Sequence, residues 1–475
     1  MDRIKNRSLL NATCSGEDDA IAVYNPATQK VIAYIPSVDS QTIHSQVEAS
    51  KKAQLCWQEK SAAERSAILK RWYDLMVENA DDLARIMTLE QGKPLAEAKG
   101  EVMYGASFIQ WFAEEGKRTY GDTIPSPTTN KRLMTIKQPV GVAAAITPWN
   151  FPIAMITRKA APALAAGCSF IVKPANQTPL CAYATAELAY QAGLPKDLLI
   201  IINNHSSSVV GEILCSHQDI KKLSFTGSTE VGRELINQCS STVKRTSMEL
   251  GGNAPFIVFD DADIEQAVKG AVASKFRNAG QTCVCANRFY VQDGIYHQFV
   301  EKFTAAVAEL KMGNGLKPDM DIGPLIDTKA KNSVLESIDN AVKQGAKIAL
   351  GGQVEQGLFV QPTVLTDVTQ EMDITQAEIF GPVAPVIRFS DDQELLDKAN
   401  DTIYGLASYF YTENIKRAFH IAEQLEYGMV GINEGLISNE VAPFGGVKQS
   451  GFGREGAKQG IDEYLNLKYL CFGGM

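Results

Sequence analysis

Between residues 61 and 118, Leu, Ile and Met recur among charged residues at helical spacing. The pattern predicts helices over 61–79, 80–88 and 96–115. Residues 119–137 break it. Gly121, Pro125 and Pro127 mark turns, and Arg132-Leu133-Met134-Thr135-Ile136-Lys137 alternates as an exposed hairpin strand does. From Val140 the rhythm becomes short apolar runs with helices between them. Strands are predicted over 141–146, 168–173, 198–202, 222–225 and 245–250, and helices over 153–166, 181–192, 209–215 and 229–238. Continuous apolar strands alternating with helices indicate a parallel sheet covered on both faces. A second α/β stretch follows. Its strands are predicted over 255–259, 288–291, 383–389, 407–411 and 429–432, and its helices over 264–277, 295–311, 329–344, 392–400 and 414–425. The chain closes with a Gly-rich loop at 443–456, a short helix and the apolar tail Tyr469-Leu470-Cys471-Phe472. With little chain left to cover it, that tail is expected to pair with another subunit.

The length, 475 residues, corresponds to about three domains or sub-domains. Such a chain buries a large core without disulfide or metal staples. The net charge of −9 argues against a nucleic-acid binder. The most apolar region, 140–156, is interrupted by Pro148, Asn150 and Pro152 and followed by Arg158 and Lys159. It falls short of the roughly 20 apolar residues a membrane helix needs. Arg3, Lys5 and Arg7 are followed by no apolar run, and Asp2, Glu17, Asp18 and Asp19 do not suit a transit peptide. The expectation is a cytoplasmic protein with no membrane partner. Nine scattered cysteines are not a disulfide framework, and five isolated histidines give no metal-ligand spacing.

Several segments suit chemistry, each with a plainer reading beside it. Gly451, Gly453 and Gly456 fit G-x-G-x-x-G, but only nineteen residues follow Gly456. A dinucleotide fingerprint needs a strand before it and a long helix after it, so this segment reads as a flexible surface loop. The run Phe225-Thr226-Gly227-Ser228-Thr229-Glu230-Val231-Gly232 follows a strand and opens a helix. Gly227 permits a tight turn, and Ser228 with the free N–H groups of the first turn suits a phosphate oxygen. An ordinary N-cap with Glu230 in a capping box accounts for it equally well. In Thr147-Pro148-Trp149-Asn150-Phe151-Pro152, two prolines hold an Asn at a strand's C-terminal end. A fixed Asn N–H₂ suits an oxyanion hole, while a rigid turn is the plainer reading. Asn278-Ala279-Gly280-Gln281-Thr282-Cys283-Val284-Cys285 sets two cysteines among small residues. A nucleophilic Cys needs thiolate character and access, and a buried inert Cys is the common alternative. Glu249 precedes Leu250-Gly251-Gly252 at a strand end. Desolvated there, it suits a general base, and otherwise it is a solvated loop residue.

Taken in order, these segments resemble the aldehyde dehydrogenase superfamily from about Tyr24 to the C-terminus. Lys173-Pro174-Ala175, Glu378-Ile379-Phe380-Gly381-Pro382 and Pro443-Phe444-Gly445-Gly446-Val447-Lys448 complete the set. The resemblance implies an α/β fold: a Rossmann-type parallel-sheet cofactor domain, an α/β catalytic domain and a small β oligomerisation element. Residues 1–118 and 140–250 would form the first, 251–440 the second, and 119–139 with 441–475 the third. A homodimer or homotetramer is implied.

The resemblance makes Cys283 the nucleophile, Asn150 the oxyanion donor and Glu249 the base that activates water. It assigns the nicotinamide cofactor to Thr147, Pro148, Trp149, Lys173, Ala175, Asn176, Gly227, Ser228, Glu378 and Phe380. Within the superfamily the chain is most similar to succinate-semialdehyde dehydrogenases, whose carboxylate-binding residues match Arg158, Arg277 and Ser438. Two guanidinium groups at one pocket are costly without an anion between them, so a short ω-oxo acid is expected as substrate. Asn176 stands where NAD-preferring relatives often carry Glu. With Lys173 near and no opposing charge, NADP is the preferred cofactor expected, with NAD possible. Cys283 and Cys285 resemble a redox switch, with Cys285 as mere filler the alternative. Remaining readings are a glutarate-semialdehyde dehydrogenase, an acylating relative that uses coenzyme A, and a non-catalytic binding protein on the same fold.

Overall fold

The computed structural model describes residues 1–16 and 19–474. Glu17 and Asp18 of the acidic N-terminal run, and Met475 at the end of the expected oligomerisation element, lie outside it. Two parallel-rich sheets and one antiparallel sheet organise the chain.

The first large sheet has six strands in the order Gly451–Phe452, Arg245–Glu249, Ile220–Thr226, Val142–Ile146, Ser169–Lys173, Leu199–Ile201. All pairings are parallel except that of Gly451–Phe452 with Glu249 and Met248. Val142 and Ala144 pack into one buried cluster, and Ala143 and Ala145 into another on the opposite face. Burial on both faces is why this strand reads as an unbroken apolar run. The chain leaves Val142–Ile146 toward Ser169–Lys173 on one side and later returns to its other side at Ile220–Thr226. The C-terminal ends of those central strands therefore frame a crevice at a topological switch point, the place where open α/β sheets bind ligands.

The second sheet has seven strands, centred on Ala286–Gln292 and Ala254–Val258 and parallel except for the edge strand Lys347–Leu350. The third joins Thr123–Ile124, Lys131–Pro139 and Leu465–Gly473 in antiparallel fashion. The C-terminal tail pairs along one edge with its own chain, Leu465 opposite Pro139 through Gly473 opposite Lys131, and forms the outer strand of that sheet.

The glycine loop departs from expectation. Gly451 is buried on the sheet edge at φ 111°, and a Cβ there would lie 1.9 Å from the Met248 carbonyl oxygen. Only glycine permits that approach. The segment is a buried pin that carries Glu455 inward. An N-terminal hairpin, Ala20–Asn25 with Lys30–Pro36, and the helix Ser40–Gln58 were not predicted. Asp39 caps that helix by accepting from the Thr42 N–H at 2.7 Å.

Candidate active site

The loop after Val142–Ile146 begins with the Thr147 N–H donating to the Lys173 carbonyl at 3.1 Å. It buries Asn150, whose Nδ2 donates to the Gln281 carbonyl at 3.0 Å while its Oδ1 accepts from the Phe151 N–H at 3.1 Å. The prolines do not hold this side chain alone. The Asn150 carbonyl accepts from Lys93 Nζ at 2.7 Å and Asn278 Nδ2 at 3.0 Å.

Cys283 follows a strained turn. Helix Ile264–Phe276 ends, and Asn278 and Ala279 both sit at φ 54°, with Gly280 at φ 74°. A Cβ on Gly280 would meet the Gly381 carbonyl oxygen at 2.2 Å. Consecutive left-handed non-glycine residues persist only where their surroundings hold them. The half-buried Cys283 thiol is pushed up to about 12 by burial, against the opposing pull of Arg158 and Arg277. Cys285 is buried, and its thiol donates to the Lys275 carbonyl at 3.3 Å. Both thiols are free.

A cavity of roughly 240 Å³ joins these loops at the crevice. Pro148, Trp149 and Asn150 form one wall, Gly227 and Ser228 a second, and Cys283, Glu378 and Phe380 a third. Trp149 and Phe380 meet edge to face, ring centres 5.5 Å apart. Glu378 accepts from the Gly252 N–H at 3.3 Å, and burial pushes its carboxyl up to about 8. Ser228 is the N-cap of helix Thr229–Cys239 and accepts from the Val231 N–H at 3.4 Å. Glu230 stands one position too early for a capping box, so that expectation fails. Among the described residues, the buried hydroxyls of Thr147 and Thr226 have no hydrogen-bond partner. Orphaned hydroxyls, a helix N-terminus and a carboxyl around one apolar slot fit a dinucleotide cofactor.

Glu249 ends the strand Arg245–Glu249, just before the Leu250 and Gly251 that line the cavity. It is buried, and neither carboxyl oxygen has a hydrogen-bond partner among the described residues. Burial and then the Glu455 charge raise its pKa well above the usual range, with Arg158 and Lys159 opposing.

Lys173 is buried at its strand end, and burial lowers its ammonium to about 8. Ala175 and Asn176 follow in the loop after it. Asn176 Nδ2 donates to the Asn204 carbonyl and its Oδ1 accepts from Asn203 Nδ2, both at 2.9 Å. Lys173, Ala175 and Asn176 lie outside the wall of the cavity at Cys283. Asn176 lines a different cavity, of roughly 600 Å³, together with Glu90.

Arg158 is buried and ion-paired with Glu455, which also engages Lys159. Arg158 therefore already has a buried anion beside it in the ligand-free protein. One of its nitrogens, Nη2, still lacks a hydrogen-bond partner among the described residues. Arg277 lies over the Phe151 ring at 5.3 Å. Ser438 is half-buried in the loop after strand Met429–Ile432 and has no hydrogen bond to either arginine among the described residues. The charges of Arg158 and Arg277 bear on the Cys283 thiol, but neither arginine, nor Ser438, lines the cavity at Cys283. Sequence reasoning missed Gln91, Lys93, Glu97, Glu101 and Glu455.

The described residues contain no helix long and apolar enough to cross a membrane. Comparison with known proteins agrees with the geometry. The chain is 59% identical to a glutarate-semialdehyde dehydrogenase of Pseudomonas putida over 451 residues, 95% of this chain and 94% of that protein. It is 56% identical to the NADP(+) succinate-semialdehyde dehydrogenase GabD of Escherichia coli over 457 residues, 96% of this chain and 95% of that one. A crystal structure of an aldehyde dehydrogenase from Brucella melitensis biovar abortus superposes with a TM-score of 0.98 at 57% identity, covering 100% of both chains. With a cysteine, a buried carboxyl and a fixed amide gathered at the crevice, and a family model matching residues 13–470, the chain belongs to the aldehyde dehydrogenase family.

Proposed function

We propose that this enzyme oxidises a short ω-oxo acid, succinate semialdehyde or its one-methylene homologue glutarate semialdehyde, with NADP as preferred cofactor. Two things support this reading: the relatives at 59% and 56% identity are named for glutarate and succinate semialdehyde, and the Arg158 and Arg277 guanidinium charges both favour the Cys283 thiolate. A substrate carboxylate between them would place the aldehyde carbon at the sulfur.

Cys283 first gives its thiol proton to solvent water; the thiolate Sγ then forms a bond to the aldehyde carbon, and the carbonyl π pair moves to oxygen to give an oxyanion. Asn150 donates one N–H to Gln281 and keeps its second for that oxygen, alongside the Cys283 backbone N–H. A nicotinamide, when bound, would supply the hydride acceptor, and loss of hydride from the thiohemiacetal would leave a thioester on Cys283. Glu249, desolvated and free of hydrogen bonds, takes a proton from water as that water attacks the thioester. The cofactor would be held by Glu378 at its ribose, by Trp149 and Phe380 around the slot, and by Ser228 at its phosphates, with Thr147, Pro148 and Gly227 as neighbours. Lys173, Ala175 and Asn176 would serve the adenosine end. Two carboxylates, Glu90 and Asp327, line the cavity with Asn176; Glu90 accepts from the Leu180 and Cys181 N–H groups and Asp327 from the Ala330 N–H.

The domain division is proposed on the same basis: the six-stranded sheet for cofactor, the seven-stranded sheet for Cys283, and the three-stranded sheet as the contact between subunits. Its exposed Leu467, Tyr469 and Phe472 suit that contact. Peroxide-sensitive pairing of Cys283 with Cys285 requires the Cys285 thiol to leave the Lys275 carbonyl. Inactivation that reductant reverses in the native enzyme but not in Cys285→Ser tests it.

The catalytic assignment is tested by two variants. Cys283→Ala is expected to abolish reduced nicotinamide formation. Glu249→Gln is expected to give a burst of one equivalent per active site and then stall. A Glu249→Gln enzyme with full steady-state turnover overturns the assignment.

A further inference from the structure

One polar segment grips both loops that carry the reacting groups. Gln91 ends helix Ala80–Gln91, and Lys93, Glu97 and Glu101 follow at four-residue steps into helix Leu95–Glu115. Gln91 Nε2 donates to Asn278 Oδ1 at 2.9 Å, and Gln91 Oε1 accepts from the Lys93 N–H at 2.9 Å. Lys93 Nζ donates to Glu101 at 2.5 Å and to the Asn150 carbonyl at 2.7 Å. Glu101 accepts in turn from the Ile153 and Ala154 N–H groups at 2.9 and 3.3 Å. Glu97 accepts from the Asn278 N–H at 3.0 Å. Lys93 also sits over the Phe151 ring at 4.0 Å, the same ring that Arg277 covers.

Asn278 is where these contacts meet. Its left-handed backbone is held by Glu97, its side chain by Gln91, and its Nδ2 reaches the Asn150 and Gln281 carbonyls at 3.0 and 3.2 Å. Asn150 donates to that same Gln281 carbonyl. The Asn150 loop and the turn before Cys283 are therefore one hydrogen-bonded unit, anchored from outside by the 91–101 segment. A buried ion pair such as Lys93–Glu101 adds little stability over an apolar pair of equal volume. What an apolar pair cannot do is fix a carbonyl oxygen and two N–H groups of the 150–154 loop.

We infer that Gln91, Lys93, Glu97 and Glu101 form a positioning cradle that sets the Asn150 amide against Cys283. The inference rests on the reading of Asn150 as oxyanion donor. None of the four need touch substrate or cofactor; they act through Asn150 and Asn278.

The test uses the full-length enzyme, succinate semialdehyde and NADP, with kcat and KM measured in the native and Asn150→Ala backgrounds. Two variants are made: the double Lys93→Met, Glu101→Gln, which removes both buried charges together, and Gln91→Leu, which leaves the ion pair intact should the first not fold. Each is expected to lower kcat at least tenfold with KM within threefold. In the Asn150→Ala background the further loss is expected to stay below twofold, because the group being positioned is gone. A native-background kcat within twofold of wild type, or an equal tenfold loss in both backgrounds, overturns the cradle. An unchanged kcat in Asn150→Ala alone overturns the oxyanion assignment itself, and is read separately from the cradle variants.

Discussion

The guanidinium of Arg158 is ion-paired with the carboxylate of Glu455, and both are buried beside the site. Lys159 shares that carboxylate. One anion thus serves two cations, and a substrate carboxylate would arrive as the second. Arg277 has no such internal partner among the ion pairs of the described residues and rests on the Phe151 ring instead.

Arg277 is therefore the guanidinium to remove for a clean effect on specificity. A charge-assisted hydrogen bond contributes about 1.5–3 kcal/mol. Arg277→Leu is expected to lower kcat/KM for succinate semialdehyde by about 10- to 100-fold, and to leave an uncharged aldehyde of similar size nearly unaffected. Equal losses on both aldehydes would show that Arg277 does not read the carboxylate.

Glu455 answers to stability instead. Glu455→Gln strands two buried cations, and removing one partner of a buried ion pair costs about 3–5 kcal/mol. Denaturant unfolding should show a loss in that range.

The ligand-free Cys283 is a thiol at neutral pH, its pKa being pushed up to about 12 by burial. Only the thiolate is alkylated. The rate of iodoacetamide labelling at Cys283 is expected to rise about tenfold per pH unit between pH 7 and 10. A plateau below pH 9 would contradict this.

Glu378 links cofactor binding to pH. Burial pushes its carboxyl up to about 8 from 4.5, so it carries a proton in the ligand-free protein below that point. A ribose held by the carboxylate requires that proton to leave. NADP affinity is expected to improve with pH up to about 8 and then level, and to lose this dependence in Glu378→Gln. The same shift makes Glu378 a stabilising influence at low pH that fades as pH rises from 4.5 to about 8, since the unfolded chain releases the proton first. Binding titrations across pH 6 to 9 check the first expectation.

Asn176 is expected to set cofactor choice. Asn176→Glu adds a carboxylate to the cavity proposed for the adenosine end of the cofactor. NADP kcat/KM should fall more than tenfold while NAD is largely spared. Parallel losses on both cofactors would remove Asn176 from that role.

The alternation of apolar strands and helices made both large sheets legible, and the order of motifs placed Asn150, Glu249 and Cys283. What stayed hidden was buried polarity. Lys93, Glu97 and Glu101 recur every four residues, a spacing that usually marks a solvated helix face. Here that face is turned inward, and nothing local distinguishes the two cases. Glu455 was lost because glycines around it read as flexibility, whereas Gly451 is glycine so that the chain can press against Met248.

The most direct test is the initial rate with succinate semialdehyde, glutarate semialdehyde and an uncharged aldehyde of matched length, each with NADP and with NAD in reducing buffer. The account predicts reduced nicotinamide with both ω-oxo acids, at a kcat/KM well above that of the uncharged aldehyde and higher with NADP. Faster turnover of the uncharged aldehyde would contradict it, and would mean that Arg158 and Arg277 do not form a carboxylate site.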